Sequence, residues 1–406
     1  MRPPPAYSRG VVGARTALLG LCLATLGAGC ASTSKGQPLY VAPDGFDFSQ
    51  NPKLLARILA TPHGYFRFIN RPFASEVCNR MSPGLADAPV VNLHGDAHLE
   101  QYAVTDLGRG LTDFDDSTAG PAALDLVRFS VSLRLAAEAN GWTKDAEALI
   151  QRFLDGYKEG LENPDVAPSE PTVAARIRGG FTYDRKRYFE WVDSIIQPMP
   201  DDLGEELGQA FVPYVESMRA QDPSLPPDFF RVKQVGLLQM GIGSALDMKF
   251  LVRVEGKTEA PEDDVVLEVK EVRDLRGVSC ITHNAKVDPF RILVGQSRIA
   301  YRPYELLGYL QLRGKVFWIH SWVDNYREVK LAESFQRVDE LEEVVHDVGV
   351  QLGRGHAAQI AAPLGQQLRR ALLTMLEANR GEILRLSADM AKETVAAWKR
   401  FAEAHQ

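Results

Sequence analysis

The sequence crowds five ionisable side chains that resist crowding: Asp96, His98, Asp113, Asp115 and Asp116. They lie in Leu93-His94-Gly95-Asp96-Ala97-His98-Leu99-Glu100-Gln101-Tyr102 and in Leu111-Thr112-Asp113-Phe114-Asp115-Asp116. Val90 and Val91 lead into the first burst and Leu111 into the second, the pattern of two short buried strands that end in carboxylates and imidazoles. Like charges at this density raise one another's pKa unless a cation stands between them. The stretch therefore points to metal binding or proton transfer.

At 406 residues the chain can bury a large core and fill two lobes or domains. A formal charge of −7 gives no electrostatic footprint for nucleic acid, and none is expected as a partner. Arg2, Arg9 and Arg15 precede a short apolar run, Ala17 to Leu26, too short to span a bilayer as a mature helix. It ends Leu26-Gly27-Ala28-Gly29-Cys30, which resembles a bacterial lipoprotein signal. That resemblance implies removal of residues 1–29, lipidation of Cys30 and a lipid anchor on the periplasmic side of an envelope membrane. Loss of the three arginines would move the net charge from −7 to −10. Of the four cysteines, Cys78 and Cys280 then remain, either as a disulfide or as two separately buried thiols.

After a tether over 30–50, a helical lobe is expected over 51–234. Its helices begin with Asn51–Leu59, Ala122–Ala139 and Lys144–Leu161, each carrying an apolar stripe. Tyr65-Phe66-Arg67-Phe68 reads as core aromatics around an exposed Arg67, or as a placement of Arg67 beside the carboxylates. Asp125 reads as a cap partner for the loop above its helix. From 235 to 326 the pattern becomes strand and hairpin, a small antiparallel β-lobe with one helix. Helices over 327–406 complete the helical lobe, and His356 among them is expected to have a local partner. The fold class is therefore α+β.

The β-lobe holds a glycine turn, Gly241-Ile242-Gly243-Ser244, and a strand lysine, Lys270. Such a turn lets backbone N–H groups approach a phosphate, and a nearby lysine adds positive charge. Opposing carboxylates would hold Mg²⁺ and orient an attacking hydroxyl. These are the requirements of phosphoryl transfer.

His94-Gly95-Asp96-Ala97-His98 followed by Asp113-Phe114-Asp115 resembles the catalytic and metal loops of protein-kinase-like phosphotransferases of the aminoglycoside and choline kinase type. More closely, the chain resembles the bacterial domain-of-unknown-function family 2252. The residues that carry this include Phe66-Arg67, Gly95 to Glu100, Asp113 to Asp116, Gly120-Pro121, Asp125-Leu126 with Arg128, Gly241 to Ser244, Val269-Lys270-Glu271, Gly295-Gln296 and Gly355-His356-Ala357. The kinase resemblance implies ATP and Mg²⁺ as cofactors. It makes Asp96 the base for the acceptor hydroxyl, Asp113 a metal ligand with Asp115 sharing it, and Gln101 a ligand where the motif has Asn. Gly241, Gly243, Ser244 and Lys270 take the nucleotide phosphates. The β-lobe follows the catalytic loops instead of preceding them, so a kinase-like two-lobed fold would be circularly permuted. The helix after Lys270 offers no glutamate partner for it, which leaves Glu268 or Glu271. The acceptor is an unidentified small molecule or protein. Two other readings stand beside this one. ATP is scarce outside the cytoplasm, which favours a catalytically inactive kinase-like binding protein. A metal-dependent phosphoesterase would use His94, Asp96, His98 and Asp113 as ligands.

Overall fold

The computed structural model describes residues 38–42, 45–49, 51–239, 247–282, 287–358, 361 and 363–405. Cys30, the signal segment and the glycine turn at Gly241, Gly243 and Ser244 lie outside the described residues.

The chain opens with four helices, α1 (Pro52–Ala60), α2 (Pro62–Phe68), α3 (Asn70–Arg80) and α4 (Pro83–Ala86). Thr61 ends α1 and also starts α2, because its hydroxyl accepts the Gly64 N–H at 3.0 Å. The aromatic run Tyr65 to Phe68 is thus helical, and Arg67 within it is buried, not exposed. Four short strands follow: β1 (Val90–Leu93), β2 (Tyr102–Thr105), β3 (Arg109–Leu111) and β4 (Thr118–Pro121). The two apolar lead-ins expected before the acidic bursts are β1 and β3. They sit in different sheets, because β1 pairs with β4 and β3 with β2.

Helices α5 (Ala123–Ala139), α6 (Ala146–Glu162), α7 (Thr172–Gly179), α8 (Arg185–Ile195) and α9 (Asp201–Gln221) come next. The strand-rich part holds β5 (Val232–Leu237), β6 (Lys249–Val254), β7 (Val265–Glu271), α10 (Phe290–Ile299), β8 (Gly308–Leu312), β9 (Lys315–Ser321) and β10 (Tyr326–Glu328). Five of its strands form an antiparallel sheet in the order β5-β6-β7-β9-β8. The β8–β9 turn uses Arg313 and Gly314, both at positive φ, as a tight two-residue hairpin requires. Helices α11 (Val338–Ala357) and α12 (Leu364–Glu403) close the chain.

The last two helices return to the first part of the chain. In the main core, α5 and α12 pack together, and α11 packs along α6. The α6–α11 contact is close because glycines line it: a Cβ at Gly349 would land on the Phe153 carbonyl oxygen and one at Gly156 on that of His346. The sheet has its own cores. Leu203, Leu207, Phe211 and Tyr214 of α9 pack with Phe250, Val252, Leu267 and Phe317, while Tyr188, Phe189 and Val192 of α8 pack with Leu251 and Val266. Helices α8 and α9 therefore cover the sheet, although they precede 235 in sequence.

Cys78 of α3 and Cys280 are joined in a disulfide with Cα atoms 5.5 Å apart. This resolves the alternatives for the two thiols in favour of a bridge. Among the described residues, no helix is long and apolar enough to cross a membrane.

Candidate active site

Strand β1 delivers His94 and Gly95 to the centre of the molecule. Gly95 has φ +82°, and a Cβ there would strike the Asp116 carbonyl oxygen, so this turn requires glycine. Asp125, in the first turn of α5, accepts the His94 N–H at 2.7 Å and the Gly95 N–H at 2.9 Å. Its anchoring role is the one expected of it. His356 of α11 bonds the same carboxylate at 3.1 Å and the Tyr157 hydroxyl at 3.0 Å. These ring contacts of His356 reach residues distant in sequence. The loop is thus anchored on α5, and α11 braces the anchoring carboxylate from 231 positions away.

Asp96 follows on this turn and is buried. Burial pushes its pKa up to about 6, against the pull of the Arg128 guanidinium. Arg128 Nε donates to Asp96 Oδ1 at 2.6 Å, and the guanidinium lies over the rings of Phe66 and Phe73 at 4.2 and 5.1 Å. Arg128 therefore fixes the carboxylate from below. Asp96 N–H donates to His94 Nδ1 at 3.3 Å, and His94 Nε2 meets the Thr112 carbonyl at 2.9 Å. This pattern selects the Nε2–H tautomer and occupies both nitrogens of His94. His98 is enclosed, with Nε2 3.8 Å from Asp96 Oδ2, and burial holds its imidazole well below the usual range.

Strand β3 and the turn after it carry the second burst. Asp113 has φ +58°, in the left-handed region that Asp tolerates better than most residues. Lys270 of β7 reaches across 157 positions to Asp113 Oδ1 at 2.8 Å and across to Asp115 Oδ2 at 2.7 Å. Burial opposes the charge on Asp113, but Lys270 outweighs it and holds this carboxyl well below its ordinary value. Burial and the Asp113 charge push Asp115 up to about 7. Trp318 of β9 donates its indole N–H to Asp115 Oδ1 at 2.9 Å. Gln101 Nε2 lies 3.4 Å from both Asp96 Oδ2 and Asp113 Oδ2, so one amide spans the two acidic bursts.

Asp96, Gln101, Asp113, Asp115 and Lys270 are thus gathered into one cluster. Lys270 pairs with the two aspartates and not with a glutamate: Glu268 bonds His320 at 3.1 Å, and Glu271 bonds Lys315 at 2.8 Å. Arg67 also belongs nearby, bonding Glu100 at 3.0 Å. Among the described residues, no group of three or more His, Cys, Asp and Glu closes around a metal position.

A family model described as "Uncharacterized protein conserved in bacteria (DUF2252)" matches residues 51–185 and 175–404. The chain belongs to this family. No curated protein and no solved structure matches it. The matched spans of family 2252 contain the whole cluster from Asp96 to Lys270.

Three pairings in the site escape a reading of motifs. Arg128 looks like one more polar position on α5, and only the fold turns it toward Asp96. Asp116 is matched by Arg273, with Nη1 2.7 Å from Oδ2. Lys249 stands directly opposite Lys270 in the β6–β7 register and is also buried. The visible signal for Lys249 is a lysine opening a strand that is apolar through Phe250, Leu251 and Val252. Behind Asp96, Asn70, Gly95, Asp116 and Arg128 share the wall of a cavity of about 30 Å³ with apolar residues. Asn70 Oδ1, Asp116 Oδ1 and Arg128 Nη1 are buried without a partner among the described residues.

Proposed function

We propose that this chain is an envelope-anchored, kinase-like phosphotransferase that passes a phosphoryl group from ATP to a small-molecule hydroxyl with Mg²⁺. One observation carries the reading: Lys270 from the sheet and the Asp113–Asp115 pair from the loops meet directly, and Asp96 shares the same cluster through Gln101. A buried lysine between two carboxylates supplies the neutralisation that the crowded acids require.

The donor set fits Mg²⁺. This ion is commonly held by one or two carboxylates and completes its shell with water and phosphate, so a site without a full protein cage is the ordinary form. Asp113 and Asp115 would supply carboxylate oxygens, and Gln101 would supply its amide oxygen after a flip of the terminal group. When bound, the metal offsets charge on the transferring phosphoryl group. Lys270 would then turn from the aspartates to the phosphates. Asp96, with its pKa near 6, is mostly ionised at neutral pH and can accept the hydroxyl proton as the new O–P bond forms and the γ-phosphorus parts from the bridging oxygen that leaves with ADP. Arg128 holds Asp96 in place for that step.

Chain order supports a circularly permuted kinase-like arrangement, because the sheet follows the catalytic loops and α11 and α12 return to complete the helical core. The Cys78–Cys280 disulfide supports an oxidising compartment, consistent with export and an anchor at Cys30. Both ring nitrogens of His94 are engaged, which favours phosphotransfer over a phosphoesterase that would use this histidine as a ligand. Gln101 favours one second reading, a nucleotide-binding protein without turnover. Its side chain is a methylene longer than Asn and places its amide against both carboxylates.

Thermal unfolding of the full chain in mild detergent, with ATP in the presence and absence of Mg²⁺, tests the proposal. The expected result is stabilisation that needs both and disappears in Asp113→Asn. No shift with any nucleotide would refute it.

A further inference from the structure

A second cavity, of about 300 Å³, opens where the end of α10 meets α11, the start of α12 and the connection after α6. Its volume lies at the small end of the range for ligand pockets. It shares no residue with the candidate active site.

Three arginines from three helices line it: Arg298, Arg354 and Arg369. Asp165 is the acidic residue in the wall, so the lining carries a net charge of about +2, a field that draws anions. Two of the arginines are tied down by backbone carbonyls. Arg354 Nε donates to Pro164 O at 2.8 Å, and Arg298 Nη1 donates to Ala358 O at 3.2 Å. The Arg354 guanidinium also lies 5.4 Å from the centre of the Tyr301 ring, another wall residue. Arg369 has no hydrogen bond or ion pair among the described residues. The chain has thus ordered part of a cationic wall around an open volume, with one acidic residue set against three arginines.

We infer that this cavity binds a phosphate monoester, through Arg354 and Arg369 with Arg298 at the rim. Guanidinium forks match phosphate oxygens in two-point contacts. A phosphate monoester is close to a dianion at neutral pH, which balances the lining, whereas a single carboxylate leaves about one positive charge unmatched. The cavity volume exceeds what a bare carboxylate fills and leaves room for a small organic body. The same chemistry is offered by a soluble phosphorylated metabolite and by the monoester headgroup of phosphatidic acid.

Isothermal titration of the full chain in mild detergent with glycerol 3-phosphate tests the inference, with vesicles of phosphatidylcholine containing phosphatidic acid as a separate arm. Expected is saturable binding of glycerol 3-phosphate that weakens at least tenfold in Arg369→Gln and in Arg354→Gln and persists in Lys270→Ala. Arg369→Gln removes a partly exposed side chain and keeps the test valid if Arg354→Gln fails to fold. Binding to vesicles but not to glycerol 3-phosphate, with the same dependence on arginine, assigns the headgroup source and supports the site. No binding in either arm, or binding unchanged in Arg369→Gln, overturns it. Loss of binding in Lys270→Ala alone would place the phosphate at the nucleotide site and also overturn it.

Discussion

Replacing Lys270 by Met removes the cation from between Asp113 and Asp115 while keeping most of the side-chain volume. The Nζ contacts at 2.8 and 2.7 Å are each worth roughly 6 kcal/mol of attraction at an effective dielectric constant of about 20. Desolvation of the ammonium offsets much of that, and Asp113 keeps 34% of its side chain in contact with solvent, which screens its half of the interaction. Truncating one partner of a buried ion pair destabilises by about 3–5 kcal/mol, and Lys270→Met belongs at the lower end of that range at about pH 8.5. The loss depends on pH. The carboxyl of Asp115 already lies up near 7 with Lys270 present, and removing the cation raises it further. A carboxyl with a raised folded-state pKa contributes stability at low pH and loses it as pH rises through that pKa. The penalty of Lys270→Met should therefore shrink to about 1–2 kcal/mol near pH 5.5, where the variant takes up a proton. Millimolar Mg²⁺ should restore part of the loss at the higher pH. Urea unfolding followed by tryptophan fluorescence measures all three quantities. A penalty below about 1 kcal/mol at pH 8.5, or one that is equal at both pH values, would refute the reasoning about the neutralising lysine.

Breaking Cys78–Cys280 opens a link across 202 positions, and reduction should destabilise the protein by about 2–5 kcal/mol; identical urea midpoints with and without reductant would contradict this. Gly349→Ala drives a Cβ onto the Phe153 carbonyl oxygen, so α6 and α11 must separate at a cost of about 1–3 kcal/mol in the same assay, and an unchanged midpoint would show that the contact yields. Glu268 is opposed by burial, yet Lys270 and His320 pull its pKa down from 4.5 to about 2. A depressed carboxyl stabilises above its unfolded value, here by about 3 kcal/mol, and the benefit fades as pH falls from 4.5 toward 2. The stability gap between wild type and Glu268→Gln should therefore narrow between about pH 6 and pH 3, and a constant gap would contradict the assignment.

Local signals marked the elements and the acidic bursts, because apolar runs and glycine or proline punctuation act over a few residues. The strand signal before Asp96 and Asp113 was legible in Val90, Val91 and Leu111, and the hairpin around Arg313-Gly314 in its alternation. The helix starting at Pro62 was hidden, because Thr61-Pro62 marks a helix beginning as well as an ending. Pairings across long separations were not legible. Nothing in the residues near Arg128 says that it meets Asp96, nor near His356 that it meets Asp125 across 231 positions. The Cys78–Cys280 bridge is of the same kind, since two cysteines carry no mark of mutual distance. Sequence offers Lys270 glutamate partners only on its own strand, whereas the register of β7 and the left-handed turn at Asp113 bring the aspartates to it.

The central claim is that the two parts of this chain form one nucleotide and metal site. A crystal structure of the protein with Mn²⁺ and a non-hydrolysable ATP analogue tests it most directly. The account predicts an anomalous Mn²⁺ peak within coordination distance of Asp113, with the analogue's phosphates beside Lys270. A Mn²⁺ peak away from Asp113, or phosphates bound with Lys270 still held between Asp113 and Asp115, would contradict it.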